Sequence, residues 1–476
     1  MTEVLVIGAG PAGLAAARSA RAAGAQVVLL DSSDELGGQY WRHLPASRPS
    51  QHEAALHHGW QTFVQLRDEL EADDGCRVIR EAQVWAIETA AGRPGTVHVL
   101  VGPPDGVGRE ALTFEPRAIV IATGAHDRTL PFPGWDLPGV FTAGAAQALA
   151  KGERVAIGAR VLVAGAGPFL LPVAASLSHT GSTVVAVLEA NRPRALAAGW
   201  LPKPWQLVRA AKKGTELAGY IVNQLQHRIP YQTGKAVVRA NGTDRVESVT
   251  VASVDANWAP LPGTEQTIAV DAVAVGHGFT PRLELAIAAG CALDAERFVV
   301  VDETQETSVA GVYAAGEITG IGGVDLALAE GELAGHFAAG GAGTAASRHA
   351  QRHRATFSNF AGRIEAAHGT KPGWTGWLTA DTVVCRCEEV SYGSLCDAIA
   401  VTGSSSLRSL KLSTRAGLGI CQGRVCGRTV EELIPSDHPD PASVDRRPIA
   451  SPIRLSELAA PQPPSISHSN VPERTP

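Results

Sequence analysis

Of the seven cysteines in this 476-residue chain, four form two close pairs near the C-terminal end: Cys385, Cys387, Cys421 and Cys426. Their spacing is C-x-C, then 33 residues, then C-x4-C, within VVCRCEEVSYGSLCDAIAVTG and RAGLGICQGRVCG. Two close thiolate pairs folded together make a four-sulfur cage, which suits a [2Fe–2S] cluster or a tetrahedral zinc ion. Zinc would make the segment a structural clip, and an iron–sulfur cluster would make it an electron carrier. Cys76 and Cys291 stand alone and read as small buried hydrophobes, and Cys396, between the pairs, reads as core. Arg386 and Arg424 lie between paired cysteines, either adding positive charge at the sulfurs or standing as ordinary solvated arginines.

The elements around the cysteines follow from their pattern. Val383 and Val384 lead into the first pair, 388–402 forms a short amphipathic helix stopped by Gly403, and 407–412 a second helical piece. TRAGLGI is a glycine-bearing loop, and RTVEELI begins a last helix. Helices starting beside the cysteines direct N–H donors at the sulfurs, which favours an anionic cluster.

Phosphate chemistry is written at the other end. The strand EVLVI runs into Gly8-Ala9-Gly10-Pro11-Ala12-Gly13, followed by an Ala-rich helix to about Ala23 and a strand, QVVLL, ending at Asp31. This is a dinucleotide fingerprint in its required context. Gly8 allows the tight turn, Gly10 a close phosphate approach, and Gly13 close helix–strand packing, while Asp31 accepts from a ribose hydroxyl. The pyrophosphate lies at the helix N-terminus. A second copy follows the strand 160–164: Gly165-Ala166-Gly167-Pro168, then the strand TVVAVLE ending at Glu189. Leu170 replaces its third glycine and Pro172 enters the first helical turns. The second site therefore reads three ways: NAD(P), another adenine nucleotide, or a vestigial fold.

Length sets a prior of about three domains. The net charge is −6 with no Lys/Arg-rich run, so no nucleic-acid surface is expected. A strand directly after Met1 and Thr2, and no apolar run near the ~20 residues of a membrane span, predict neither signal peptide nor transmembrane segment. Clustered cysteines in an odd total favour metal ligation in a reducing compartment, so a cytoplasmic location is expected. His277 reads as a backbone-supporting histidine; His52, His57 and His58 read as a solvated helix face.

These motifs, in this order, resemble the pyridine nucleotide–disulfide reductase superfamily of flavoproteins. The resemblance identifies Gly37-Gly38-Gln39 and Thr123-Gly124 as flavin-contact turns. It makes Gly311-Val312-Tyr313-Ala314-Ala315-Gly316-Glu317 the strand and turn that meets the ribityl chain, with Glu317 in place of the family's Asp. The implied cofactor is FAD. The family's disulfide chemistry needs a cysteine pair beside the flavin, and only Cys76 and Cys291 precede residue 385, so disulfide reduction is not expected. C-x-C…C-x4-C with TRAGLGICQGRVCG resembles the bacterioferritin-associated-ferredoxin-like [2Fe–2S] domain, which makes Cys385, Cys387, Cys421 and Cys426 the ligands by position.

The implied fold is α/β: two Rossmann-like, three-layer ββα dinucleotide-binding domains, one inserted in the other, plus a small helical [2Fe–2S] domain. The expected boundaries are 1–140 and 293–345 for the FAD domain, 141–292 for the insert, 346–380 for a linker and 381–435 for the cluster domain. Residues 436–476 form a Pro- and Ser-rich tail, extended when alone, whose RRPIASPIRLSEL stretch either lies along a domain or partner or stays flexible. GAGPFLLPVA, GEITGIGGVDLALAEG and RRPIASPIRLSEL are similar to the alpha-type subunits of opine oxidases, hydrogen cyanide synthase and hydroxyproline or proline dehydrogenases. That likeness implies an electron-transfer subunit serving a D-amino-acid-oxidase-like flavoprotein beta subunit, often with a small [2Fe–2S] ferredoxin-like subunit. No nucleophile, general base or substrate clamp stands out. The competing expectations are a self-contained NAD(P)H-dependent reductase and a zinc-clipped scaffold.

Overall fold

A computed structural model describes residues 4–45, 47–48, 53–90, 93–208, 210–435, 446–447 and 449–460. His52 and most of the tail (436–445, 448 and 461–476) lie outside the described residues. The chain forms two compact units. One comprises Met1–Ala125, Pro281–Ala361 and Asp445–Pro476, the other His126–Thr280 and Gly362–Val444.

The first unit is built on a five-stranded parallel sheet in the order Val312–Ala314, Ala118–Ile121, Val4–Ile7, Val27–Leu30, Cys76–Ile79. Its strands read VLVI, VVLL and AIVI without alternation because both faces are covered. Val4, Val6, Val27 and Leu29 pack toward helices, among them Pro11–Ala22 and Val324–Ala338. Leu5, Ile7, Val28 and Leu30 pack against a three-stranded antiparallel sheet spanning Ala82–Ala90, Arg93–Val101 and Glu110–Phe114. This is a three-layer ββα domain. Helix Val324–Ala338 approaches helix Pro11–Ala22 so closely that a Cβ on Gly331 would stand 2.1 Å from the Ala12 carbonyl oxygen.

Part of the expected tail is packed against this unit. The Ala450 N–H donates to Trp85 O at 2.8 Å, and Ala450 is buried in the core. Glu457, on the short helix Leu455–Ala459, takes two bonds from the Arg109 guanidinium, at 2.8 and 2.7 Å. Among the three histidines read as a solvated face, His57 is buried instead. Its Nδ1 lies 2.8 Å from Glu53 O and its Nε2 2.6 Å from Arg42 O, while His58 is exposed.

The second unit repeats the plan. Its parallel sheet runs Tyr231–Thr233, Thr183–Glu189, Arg160–Gly165, Ala272–Gly276, Val140–Thr142. Leu130, Phe132, Trp135 and Val140 fill its core, so the 126–140 segment belongs here, where the sequence reading carried the FAD domain through to 140.

The cluster domain is part of the same unit. A two-strand ribbon, Val383–Cys385 with Val390–Ser391, precedes helices Tyr392–Thr402 and Leu407–Thr414, each N-capped by a serine, and then Gly427–Glu432. Val384, Leu395, Leu407, Leu410 and Val430 form its core. Cys396 is exposed, contrary to its reading as core, because Leu395 takes the inward position on that helix. Four residues of the 126–135 segment hold the domain. His126 Nε2 lies 2.8 Å from Arg424 O, and Arg128 bonds both Glu432 oxygens at 2.7 and 2.6 Å. Thr129 O accepts from the Thr429 hydroxyl at 2.5 Å, and Trp135 Nε1 donates to Val383 O at 2.5 Å.

Candidate cofactor sites

In the first unit the sequence-predicted residues converge at the C-terminal ends of the parallel strands. Pro11 opens helix Pro11–Ala22 and no side chain caps its first turn, leaving that turn to an anion. A Cβ on Gly13 would lie 1.7 Å from Gly8 O, which is the close helix–strand approach expected of the third glycine. Gly38, at φ +60°, brings its backbone against Gly10, where a Cβ would stand 2.9 Å from the Gly10 Cα. Asp31 Oδ2 accepts the Ala9 N–H at 2.5 Å and Oδ1 the Ser33 N–H at 2.8 Å. Burial raises the Asp31 carboxyl, and those two N–H bonds oppose the rise. Thr123 donates its hydroxyl to Arg282 O at 2.9 Å, Gly124 O accepts from Arg282 N–H at 3.0 Å, and Gln39 is exposed.

Gly316 and Glu317 lie in the turn that follows the strand Val312–Ala314. Glu317 Oε1 accepts the Gly323 N–H at 2.8 Å, and burial pushes its carboxyl up to about 7. Sequence reasoning missed Glu330, which lies within the quoted GEITGIGGVDLALAEG segment. Its Oε2 accepts from the Gly316 N–H at 2.9 Å and the Thr319 hydroxyl at 2.7 Å, and Arg354 Nε stands 3.7 Å from Oε1. Burial pushes Glu330 up to about 7, against the pull of Thr319 and Gly316. Asp325 and Glu332 stand on the same helix, so nothing in the sequence set Glu330 apart from the other two acids.

The four cluster cysteines are free thiols within hydrogen-bonding reach of one another. Cys426 hydrogen-bonds Cys385 and Cys421, and Cys421 also bonds Cys387. The Cys426 bond lowers Cys385 to about 6, helped by N–H groups of Gly417 and Glu388. Cys421 falls to about 4 through the Cys426 bond, with the Val425 and Gly423 N–H groups adding to it. Cys426 keeps the proton and is raised. A Cβ on Gly419 would stand 2.2 Å from Cys387 Cβ, so this loop closes directly over the first pair. The contacts run as a chain, Cys385–Cys426–Cys421–Cys387, and among the described residues no group of three His, Cys, Asp or Glu side chains is placed to hold a single ion. A [2Fe–2S] rhomb shares four thiolates between two irons, two to each, and metal replaces the thiol protons. The donor set fits it. Arg386 is turned away onto the Trp135 ring, 5.2 Å from its centroid, and Arg424 Nη1 lies 3.4 Å from Cys421 O.

In the second unit Glu189 is fully buried and its Oε2 accepts the Gly167 N–H at 2.8 Å, while Gly165 and Gly167 both sit at positive φ. His277 is buried among Trp258 and Trp377, and burial, with the Arg128 charge, pushes it down to about 3. It is a neutral core histidine. Cys76 and Cys291 are buried, with Cys76 pushed up to about 12 by burial.

Residues 2–331 match the pyridine nucleotide-disulphide oxidoreductase family. The chain belongs to that family. Within this oxidoreductase, residues 383–436 match the BFD-like [2Fe-2S] binding domain, so the protein is an FAD-dependent oxidoreductase carrying FAD and a [2Fe–2S] cluster. It is 33% identical over 480 residues to an opine oxidase subunit of Agrobacterium tumefaciens (strain Ach5), covering 96% of this chain and 91% of that one. Hydrogen cyanide synthase subunit HcnB of Pseudomonas protegens is 30% identical, covering 89% of each. Among solved structures, the L-proline dehydrogenase from P. horikoshii has the same fold, with TM-score 0.65 at 20% identity over 96% of this chain and 79% of that chain. No helix among the described residues is long and apolar enough to cross a membrane.

Proposed function

We propose that this flavoprotein is the electron-transfer subunit of a hetero-oligomeric dehydrogenase or oxidase acting on the C–N bond of an amino acid, opine or imino acid. A partner flavoprotein of D-amino-acid-oxidase type would dehydrogenate the substrate, and a small [2Fe–2S] ferredoxin-like subunit would complete the complex. One observation carries the reading. A flavin-type unit without a redox cysteine pair is joined to a four-cysteine cluster domain, and this chain aligns over nearly the full length of proteins named as opine oxidase and hydrogen cyanide synthase subunits. Such names imply further subunits.

Bound FAD exchanges electrons in pairs and the cluster exchanges them singly, which suits a relay. The chain's own work is to hold and tune. The first turn of helix Pro11–Ala22 would receive the pyrophosphate, and Asp31 a ribose hydroxyl. Glu330 fixes the Gly316 turn and the Thr319 hydroxyl. Cys385, Cys387, Cys421 and Cys426 would bind the irons, and the N–H groups of Gly417, Gly423 and Val425 would stabilise their sulfur charge. The loop–helix bonds from His126, Arg128, Thr129 and Trp135 keep the cluster domain at a fixed position in its unit.

The test is co-expression with the flavoprotein predicted to be encoded by the neighbouring gene. The two should copurify, and an amino acid or opine should reduce flavin and cluster under anaerobiosis, the latter seen as a [2Fe–2S] electron paramagnetic resonance signal. In Cys421→Ser the substrate should still bleach flavin while the cluster signal is lost. If this chain purifies alone and oxidises an amino acid unaided, or if NADH or NADPH rapidly bleaches its flavin, the subunit reading fails.

A further inference from the structure

The inserted domain carries a second dinucleotide fingerprint whose binding groups are already in use. A carboxylate offers about four lone-pair sites. Glu189 Oε2 accepts from the Gly167 N–H at 2.8 Å and contacts His368 Nδ1 at 2.9 Å. Its Oε1 accepts from the Asn191 N–H and the Asn191 amide, both at 3.0 Å. All four sites are filled, the Tyr231 hydroxyl makes a further, longer contact to Oε2 at 3.5 Å, and Glu189 is fully buried. In the first unit, by contrast, Asp31 Oδ2 accepts one hydrogen bond among the described residues, from Ala9.

His368 comes from the end of helix Ala345–His368. Its Cβ stands 3.9 Å from where a Cβ on Gly167 would be, over the glycine at which a phosphate approaches in a working fingerprint. The indole of Trp200 donates Nε1–H to His368 Nε2 at 3.1 Å, which leaves the imidazole proton on Nδ1, facing Glu189. The phosphate end is altered as well. Leu170 and Leu171 direct their N–H groups to Gly167 O and Pro168 O, both at 3.2 Å, so the turn's own carbonyls take donors that would face a pyrophosphate.

The plug is built in. A Cβ on Gly199 would lie 2.5 Å from Ala367 N, so helix Pro193–Trp200 and the plug segment approach through that glycine. Arg363 bonds Trp200 O at 2.8 Å, Lys203 O at 2.9 Å and the Gln206 side chain at 2.9 Å. Further on, Gly373 N–H donates to Asn257 O at 2.8 Å, tying down the stretch that leads to the cluster domain.

We infer that the second dinucleotide site is closed by the chain itself: His368 occupies the adenosine-ribose position on Glu189, so the site rejects NAD(P) and adenine nucleotides and anchors the segment leading to the cluster domain. The inference goes beyond the electron-transfer reading and is tested apart from it, because ADP carries no hydride. Calorimetric titration of the holoprotein with ADP and with NADH should show no saturable binding. His368→Ala should open the ribose position. If the open form holds about 1% of the wild-type population, ADP affinity should rise about 100-fold, and the gain should vanish in His368→Ala/Glu189→Gln. His368→Asn, which keeps a donor toward Glu189, should stay closed; its melting temperature and those of the other variants report folding. Saturable ADP binding by the wild type, or an intact His368→Ala protein that still refuses ADP, overturns the inference. Flavin bleaching by NADH would overturn the electron-transfer reading too, and ADP binding without it would not.

Discussion

Glu330 shows what a single buried carboxyl contributes. It ties the Gly316 turn to helix Val324–Ala338, at the cost of burying charge, and it is raised from the usual 4.5 to about 7. A carboxyl raised in the fold keeps its proton longer there than in the unfolded chain. Its contribution is therefore most favourable below about pH 4.5 and is lost as the pH climbs toward 7. Relative to Glu330→Gln, the wild type should gain stability on acidification from pH 7.5 to 5, by no more than about 3 kcal/mol at roughly 1.4 kcal/mol per unit. Paired denaturant titrations at the two pH values check this; a pH-independent difference would place the proton elsewhere. The glycine turn from Gly8 to Gly13 and the position of Asp31 were legible in the sequence because strand, turn, helix and strand follow one another directly along the chain. Glu330 and Arg354 were not, because what makes them matter is their meeting with Gly316 and Thr319 across the fold. Cys396 was misread because a residue next to a core leucine on a helix can face either way.

At the scale of elements, the flavin unit depends on one close helix pair. Gly331 leaves room for the Ala12 carbonyl, and Ala12 stands in the very turn proposed for the pyrophosphate. Gly331→Ala should push the two helices apart, costing about 1–3 kcal/mol as overpacking does, and should lower FAD retention on gel filtration without touching the cluster signal. Retained FAD with unchanged stability would mean that the pair can slide. The strands Val4–Ile7, Val27–Leu30, Ala118–Ile121, Arg160–Gly165 and Thr183–Glu189 followed from apolar runs and glycine punctuation, and the antiparallel strands between Ala82 and Phe114 did not. The 126–140 segment did not, because nothing local distinguishes an apolar loop closing one unit from one opening the next.

For the whole molecule, the returning tail matters most. Arg109 and Glu457 are 348 residues apart in sequence, and their side chains are 4% and 9% exposed. The Arg109 bond lowers Glu457 to about 2, so its contribution is present above about pH 4.5 and fades as the pH falls toward 2. Arg109→Ala should leave the tail loosely held. Tryptic cleavage at Arg454, followed by mass spectrometry, should then run several-fold faster, with flavin and cluster content unchanged; equal cleavage rates would show that Ala450 and its neighbours anchor the tail without the ion pair. No sequence pattern announces a pair so distant.

The strand order of the flavin unit has a consequence for biosynthesis. Its sheet joins the early strands Val4–Ile7 and Ala118–Ile121 to Val312–Ala314, so the ribosome must make the entire insert before that edge is paired. At about 5–20 residues per second the growing chain waits on the order of 10–40 s with an unpaired apolar strand. Slow translation or scarce chaperones would therefore hurt the yield of this protein early, before the cluster cysteines have been made.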